Sequence, residues 1–215
     1  MKRSPSAGAP ARFADPAFVG GGARRIGLLG GSFNPAHEGH RHISLLALDL
    51  LALDQVWWLV SPHNPLKPAR GMAPHAERLA RAERAARHPR IRVSRIEAVL
   101  GTSRTVDTLA ALAAARRRQR FVWIMGADNL LQLPLWHRWV EIFGCVPIAV
   151  FDRPTYSLRA LQGKAARRFR ASRIRPGRAR RLALMAPPAW VFLDRAHDRR
   201  SATAIRERAA RPGGP

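Results

Sequence analysis

The chain has 215 residues, 38 of them Lys or Arg against 14 Asp or Glu, for a formal net charge of +24. That length suits one domain with a real core and excludes two independent ones. A single cysteine, Cys145, excludes an intrachain disulfide and points to a reducing cytoplasm, and no apolar run reaches the roughly 20 residues of a membrane span, since Ile43 to Leu53 is short and carries Asp49.

Residues 1–23 are rich in Ala, Gly, Pro and Ser without an apolar signal core, and read as a disordered extension ahead of a single domain over 24–211. Arg25 to Leu29 is a first strand, and a helix follows from Gly39 to about Leu53. Gln55 to Ser61 (QVWWLVS) is a second strand, apolar enough to be buried on both faces. Prolines at 62, 65 and 68 make Ser61 to Pro68 a loop. Ala73 to Arg87 reads as a helix stopped by His88-Pro89, Ile91 to Ile96 as a third strand and Thr105 to Arg117 as a helix. Phe121 to Met125 is a fourth strand ending at Gly126, Leu130 to Phe143 is helical in part, and Pro147 to Phe151 is a fifth strand. Asp152 to Met185 is basic and broken by Pro154, Pro176 and Gly177; it gives no regular reading and is expected to be mobile around its arginine run. Trp190 to Leu193 is a last strand and Ser201 to Ala210 a closing helix. Helices alternating with strands predict an α/β fold, an open parallel sheet with helices on both faces. Its glycine-bearing and polar loops follow the carboxyl ends of strands, where such sheets bind ligands.

The most informative loop is Gly30 to His40, GGSFNPAHEGH. A glycine pair leaves the first strand where no Cβ blocks the approach of main-chain N–H groups to a polyphosphate. The loop then feeds a helix N-terminus, where N–H groups lack internal partners and negative charge is favoured. His37 and His40 lie at that mouth as hydrogen-bond donors to phosphate. The dinucleotide fingerprint is not met, and no Gly-Lys-Ser/Thr follows. Zinc held by His37, His40 and His42 is the rival reading, against which stand the absent HExxH spacing and the lack of a cysteine cluster.

The charge is less telling than its size suggests. Only Lys2, Lys67 and Lys164 are lysines, and arginines are scattered over helix faces and tails alike, a bias that looks like coding composition. Such a surface attracts ATP and binds nucleic acid nonspecifically at low salt. A basic nucleic-acid-binding module is the rival from another class, but the arginine runs at 116–118, 167–170 and 173–181 carry no aromatic interleaving and no recognised motif, so no specific nucleic-acid partner is expected.

In order along the chain, GGSFNPAHEGH, SPHNPLK, SRTVDTL, WIMGADNL, LWHRW and SATAIRE resemble the bacterial nicotinate-nucleotide adenylyltransferases of the HxGH nucleotidyltransferase superfamily, from about Arg25 to Arg208. HxGH alone leaves several relatives open; the order of the other motifs narrows the choice. The resemblance implies a Rossmann-like sheet of nucleotidyltransferase type. It also implies transfer of AMP from ATP to nicotinate mononucleotide with Mg²⁺, yielding nicotinate adenine dinucleotide and pyrophosphate for NAD biosynthesis.

On this resemblance His37, His40 and Arg206 act on the phosphates. Gly30, Gly31, Ser32, Phe33, Gly126, Asp128, Ser201 and Thr203 bind ATP, Asp128 by accepting from ribose hydroxyls. Asn64, Lys67, Thr105 and Trp136 bind nicotinate mononucleotide, Trp136 by stacking on the pyridine ring. Unaided, Trp136 reads as core, and His137 stands where many relatives carry another aromatic. No protein side chain is assigned to a metal. The rival acceptor within the superfamily is phosphopantetheine. The small-molecule partners are thus ATP and nicotinate mononucleotide, with no membrane partner, and the sequence is compatible with a homo-oligomer.

Overall fold

The computed structural model describes residues 24–62, 71–115, 118–153 and 155–194. Seven strands form one sheet: β1 (Arg25–Gly31), β2 (Gln55–Val60), β3 (Ile91–Ser94), β4 (Arg120–Gly126), β5 (Ile148–Phe151), β6 (Arg173–Ile174) and β7 (Trp190–Leu193). Their order is β3-β2-β1-β4-β5-β7-β6, and every pairing is parallel. All carboxyl ends therefore share one edge, and the order reverses between β1 and β4, where open α/β sheets bind ligands.

Period-two alternation sends both sets of strand side chains into apolar cores, which is why the strands read as continuous apolar runs. Leu28, Trp57, Leu59, Trp123, Met125 and Val150 face one core. It is covered by α3 (Ile96–Leu100), α4 (Thr105–Ala115), α5 (Ala127–Gln132), α6 (Trp139–Cys145), α7 (Ser157–Leu161) and α8 (Lys164–Arg168). Leu29, Val56, Trp58, Val60, Ile124 and Phe151 face the other, beneath α1 (Glu38–Leu50), α2 (His75–Ala86) and a 3₁₀ segment, Pro176–Leu184.

Several expectations are corrected. The first strand does not stop at Leu29 but runs through Gly31, because parallel pairing continues with Gly30 opposite Leu59 and Gly31 opposite Val60. The third strand ends at Ser94, whose hydroxyl accepts the Ile96 N–H at 3.1 Å and turns the chain into α3. The segment Leu130 to Phe143 is interrupted by a 3₁₀ turn at Leu133–Leu135 that contains Pro134. The largest correction concerns Asp152 to Met185. Instead of a mobile arginine run it holds α7, α8, a 3₁₀ turn at Arg170–Ser172, the edge strand β6 and the Pro176–Leu184 segment. There Ala179, Leu182 and Ala183 are buried at a spacing that suits three residues per turn. Arg173 does not solvate a tail; its guanidinium lies over the Trp190 ring at 5.4 Å and the Phe192 ring at 5.8 Å. The extension 1–23 and the closing helix 201–210 lie outside the described residues, and among the described residues no helix is long and apolar enough to cross a membrane.

Candidate active site

Gly30 and Gly31 close β1 at the switch between β1 and β4, and the loop from Ser32 to Ala36 leaves the carboxyl edge there. Gly30 is required there by packing, because a Cβ on it would fall 2.2 Å from Cη2 of Trp123 on the neighbouring strand. Gly31 is less constrained, its added Cβ meeting Phe33 only at 3.5 Å. Ser32 is buried, and Phe33 takes a left-handed backbone, φ 46°, unusual outside glycine. Burial holds it in place: the ring is 2% exposed, stacks on Trp58 at 5.1 Å and lies 4.7 Å from the His40 ring.

The two histidines build the start of α1 rather than merely standing at its mouth. His37 is the N-cap: its Nδ1 accepts the Gly39 N–H at 3.1 Å, while the His37 N–H donates to Nδ1 of His40 at 3.2 Å. This is a capping box made of imidazoles. A neutral ring whose Nδ1 accepts a hydrogen bond carries its proton on Nε2, so the backbone fixes each ring as an Nε2–H donor. The rings lie 3.9 Å apart, and His40 is steadied from below: its carbonyl accepts from Ser44 Oγ at 2.7 Å, which accepts from Trp58 Nε1 at 2.7 Å. Among the described residues no group of three His, Cys, Asp or Glu converges in a way that could hold a metal, and both Nδ1 atoms are already engaged.

At the carboxyl end of β4, Gly126 leaves room for Asp128, whose Oδ1 would lie 2.5 Å from a Cβ at that position. Oδ2 of Asp128 pairs with the Arg153 guanidinium, which arrives from the end of β5, while Oδ1 is buried and accepts nothing among the described residues. An orphaned buried acceptor is worth about 1–3 kcal/mol to whatever donor reaches it. Thr105 opens α4 and is half-buried. Trp136 ends the 3₁₀ turn before α6 and is partly buried against the first core, so the reading of it as core holds in part. The two are carried by neighbouring elements, joined where Arg138 pairs with Asp107 of α4 at 3.4 Å. Asn64, Lys67, Ser201, Thr203 and Arg206 lie outside the described residues.

Three residues beside the candidate site went unnoticed in the sequence: Arg153, Arg78 and Glu97. Arg78, on α2, is 1% exposed, and four of its N–H groups reach main-chain carbonyls of Ser32, Ser61, Pro62 and Ala73 at 2.7–2.9 Å. Glu97, on α3, is 5% exposed; burial pushes its carboxyl up to about 7 against the opposing hydrogen bonds from the Ser61 and Thr108 hydroxyls. Arginine in an amphipathic helix reads as a solvated face, and Glu97 falls in a stretch the sequence assigns to no element. Arg153 had a usable signal, as a cation next to Asp152 directly after a strand at the ligand edge.

Comparison with known proteins bears on this geometry. Residues 28–208 match the family model described as Cytidylyltransferase-like. The chain is 56% identical over 184 residues to the "Probable nicotinate-nucleotide adenylyltransferase" of Parvibaculum lavamentivorans, covering 86% of this chain and 92% of that one. It is 53% identical to the protein of the same name from Bradyrhizobium sp. (strain ORS 278) over 85% and 95% of the two chains. Among solved structures, the Plasmodium falciparum nicotinic acid mononucleotide adenylyltransferase complexed with NaAD superposes with a TM-score of 0.65 at 13% identity, covering 86% of this chain and 83% of that one, a likeness of fold.

Proposed function

Because the chain belongs to the cytidylyltransferase-like family, and within it to the nicotinate-nucleotide adenylyltransferases, we propose that its site transfers AMP from ATP to nicotinate mononucleotide. A phosphate oxygen of the mononucleotide attacks the α-phosphorus of ATP. The new P–O bond forms as the bond to the β-phosphate oxygen breaks, giving nicotinate adenine dinucleotide and pyrophosphate. No protein nucleophile takes part, so the chain supplies position and charge stabilisation. The observation that carries this reading is the imidazole capping box, which seats His37 and His40 at the N-terminus of α1, at the end of the loop that leaves β1 after Gly31. In this reading His37 and His40 hold the α-phosphate as charge builds on it, and the backbone from Gly30 to Phe33 holds the adjoining phosphates. The buried Oδ1 of Asp128 accepts a ribose hydroxyl. Ser201, Thr203 and Arg206 complete the triphosphate site, while Asn64, Lys67, Thr105 and Trp136 hold the acceptor. Mg²⁺ enters with the triphosphate as part of the substrate, and the single cysteine suits a cytoplasmic enzyme.

The test offers ATP and Mg²⁺ with nicotinate mononucleotide, nicotinamide mononucleotide or phosphopantetheine and measures pyrophosphate release. The first acceptor should be used far faster than the others. Equal rates, or preference for phosphopantetheine, would reject the assignment.

A further inference from the structure

Arg78 connects segments that the reaction needs in register. Its Nη1 donates to the Ser32 carbonyl in the loop after β1 and to the Ser61 carbonyl after β2, both at 2.7 Å. Nη2 reaches the Pro62 carbonyl at 2.9 Å, and Nε the Ala73 carbonyl ahead of α2 at 2.9 Å. The same region is stitched further by the Ser61 N–H donating to the Gly31 carbonyl at 3.0 Å and by Asn34, whose side chain bonds Gly71 and Ala73. On the far side of the sheet Glu97 takes the Ser61 hydroxyl, so Ser61 is held from both faces.

Two features exceed what a structural staple requires. In a trans peptide the carbonyl and the following N–H point in opposite directions, so anchoring the Ser32 carbonyl on Arg78 fixes where the Phe33 N–H points, away from the guanidinium. In the adenylyl-transfer reading that N–H is one of the backbone donors to phosphate. In addition, Arg78 is a buried cation, and none of the ion pairs among the described residues includes it. An uncompensated buried charge costs several kcal/mol, whereas it is useful directly behind a loop that receives a polyanion.

We propose that Arg78 is a positioning residue for adenylyl transfer, setting the direction of the phosphate-loop donors and their register with the segment that opens the loop after β2. The proposal rests on the adenylyl-transfer reading above. A planar fork with five donors can serve four carbonyls from three segments; an ammonium cannot.

The experiment compares wild type, Arg78→Ala and Arg78→Lys by thermal melt, by ATP affinity from calorimetry, and by kcat and KM for each substrate, below the melting range of every variant. Arg78→Ala should weaken ATP affinity and lower kcat/KM for both substrates by about 100-fold, the scale of a 1 Å misplacement. Arg78→Lys should recover part of that loss. A lower melting temperature with both KM values and kcat within twofold of wild type would overturn the proposal, since a purely structural staple predicts that result. If Arg78→Ala does not fold, the same criterion is applied to Arg78→Lys. ATP affinity also separates the two claims: a wild type that binds ATP but forms no dinucleotide defeats the functional reading, while the affinity of the variants still decides the role of Arg78.

Discussion

Gly30→Ala should damage both stability and catalysis, and the structure fixes why. The new Cβ would sit 2.2 Å from Cη2 of Trp123, against an ordinary carbon–carbon contact of about 3.5 Å, so roughly 1.3 Å must be found. Trp123 cannot yield it, being 2% exposed and wedged between β1 and the core under α4. Overpacking of this kind costs about 1–3 kcal/mol, and with the ring unable to yield the upper end applies. For a chain of this size that is a fall of roughly 6–12 °C in melting temperature. The strand end must shift instead of the ring, carrying the loop after β1 with it, and on the proposed function kcat/KM should fall about 100-fold. Gly31→Ala is the control, because its Cβ would meet Phe33 at 3.5 Å, a normal contact. Scanning calorimetry and pyrophosphate-release kinetics on both variants test the reasoning. If Gly30→Ala melts within 2 °C of wild type, or if Gly31→Ala is the more unstable of the two, the close approach to Trp123 does not govern this position.

His40→Ala removes a cap and, on the proposed function, a phosphate donor, so it should lower stability by about 1 kcal/mol and turnover by roughly 100- to 1,000-fold; His40→Gln, a natural residue for the third position of a capping box, should restore the melting temperature and part of the turnover, and failure to restore the melting temperature would refute the capping role. Glu97 should make the wild type less stable as pH rises: its carboxyl sits at about 7 when folded against 4.5 as the ordinary value, so the folded form is unpenalised below 4.5 and loses on the order of 3 kcal/mol by pH 7. Melts of Glu97→Gln should be flatter across that window, and parallel curves would show that Glu97 does not titrate there. Asp128→Asn should raise the KM for ATP about tenfold or more, from the loss of a charge-assisted hydrogen bond, with the acceptor KM unchanged; a rise in the acceptor KM alone would move Asp128 to the other ribose.

What the sequence made legible, and what it hid, follows from which atoms do the work. Apolar strands between short polar loops are visible because both faces of a parallel sheet are buried, and Trp57, Trp58 and Trp123 could hardly lie elsewhere. Gly30 and His40 are visible because glycine and histidine at a strand-to-helix loop have few other uses. β6 was hidden because two residues, Arg173 and Ile174, pair only at an edge and carry no periodicity. Arg78 was hidden for a different reason. All four of its partners are main-chain carbonyls, which every residue possesses, so no complementary side chain marks the contact in the sequence. The same holds for His37 and His40 in part: the motif names the imidazoles, but the backbone N–H groups of His37 and Gly39 decide which nitrogen carries the proton. Side chains that meet a ligand therefore announce themselves, while those that aim the backbone do not. In a reaction that needs no protein nucleophile, position is what the chain has to supply, and a variant such as Arg78→Lys tests the proposed backbone-aiming role, which motif-directed mutagenesis would pass over.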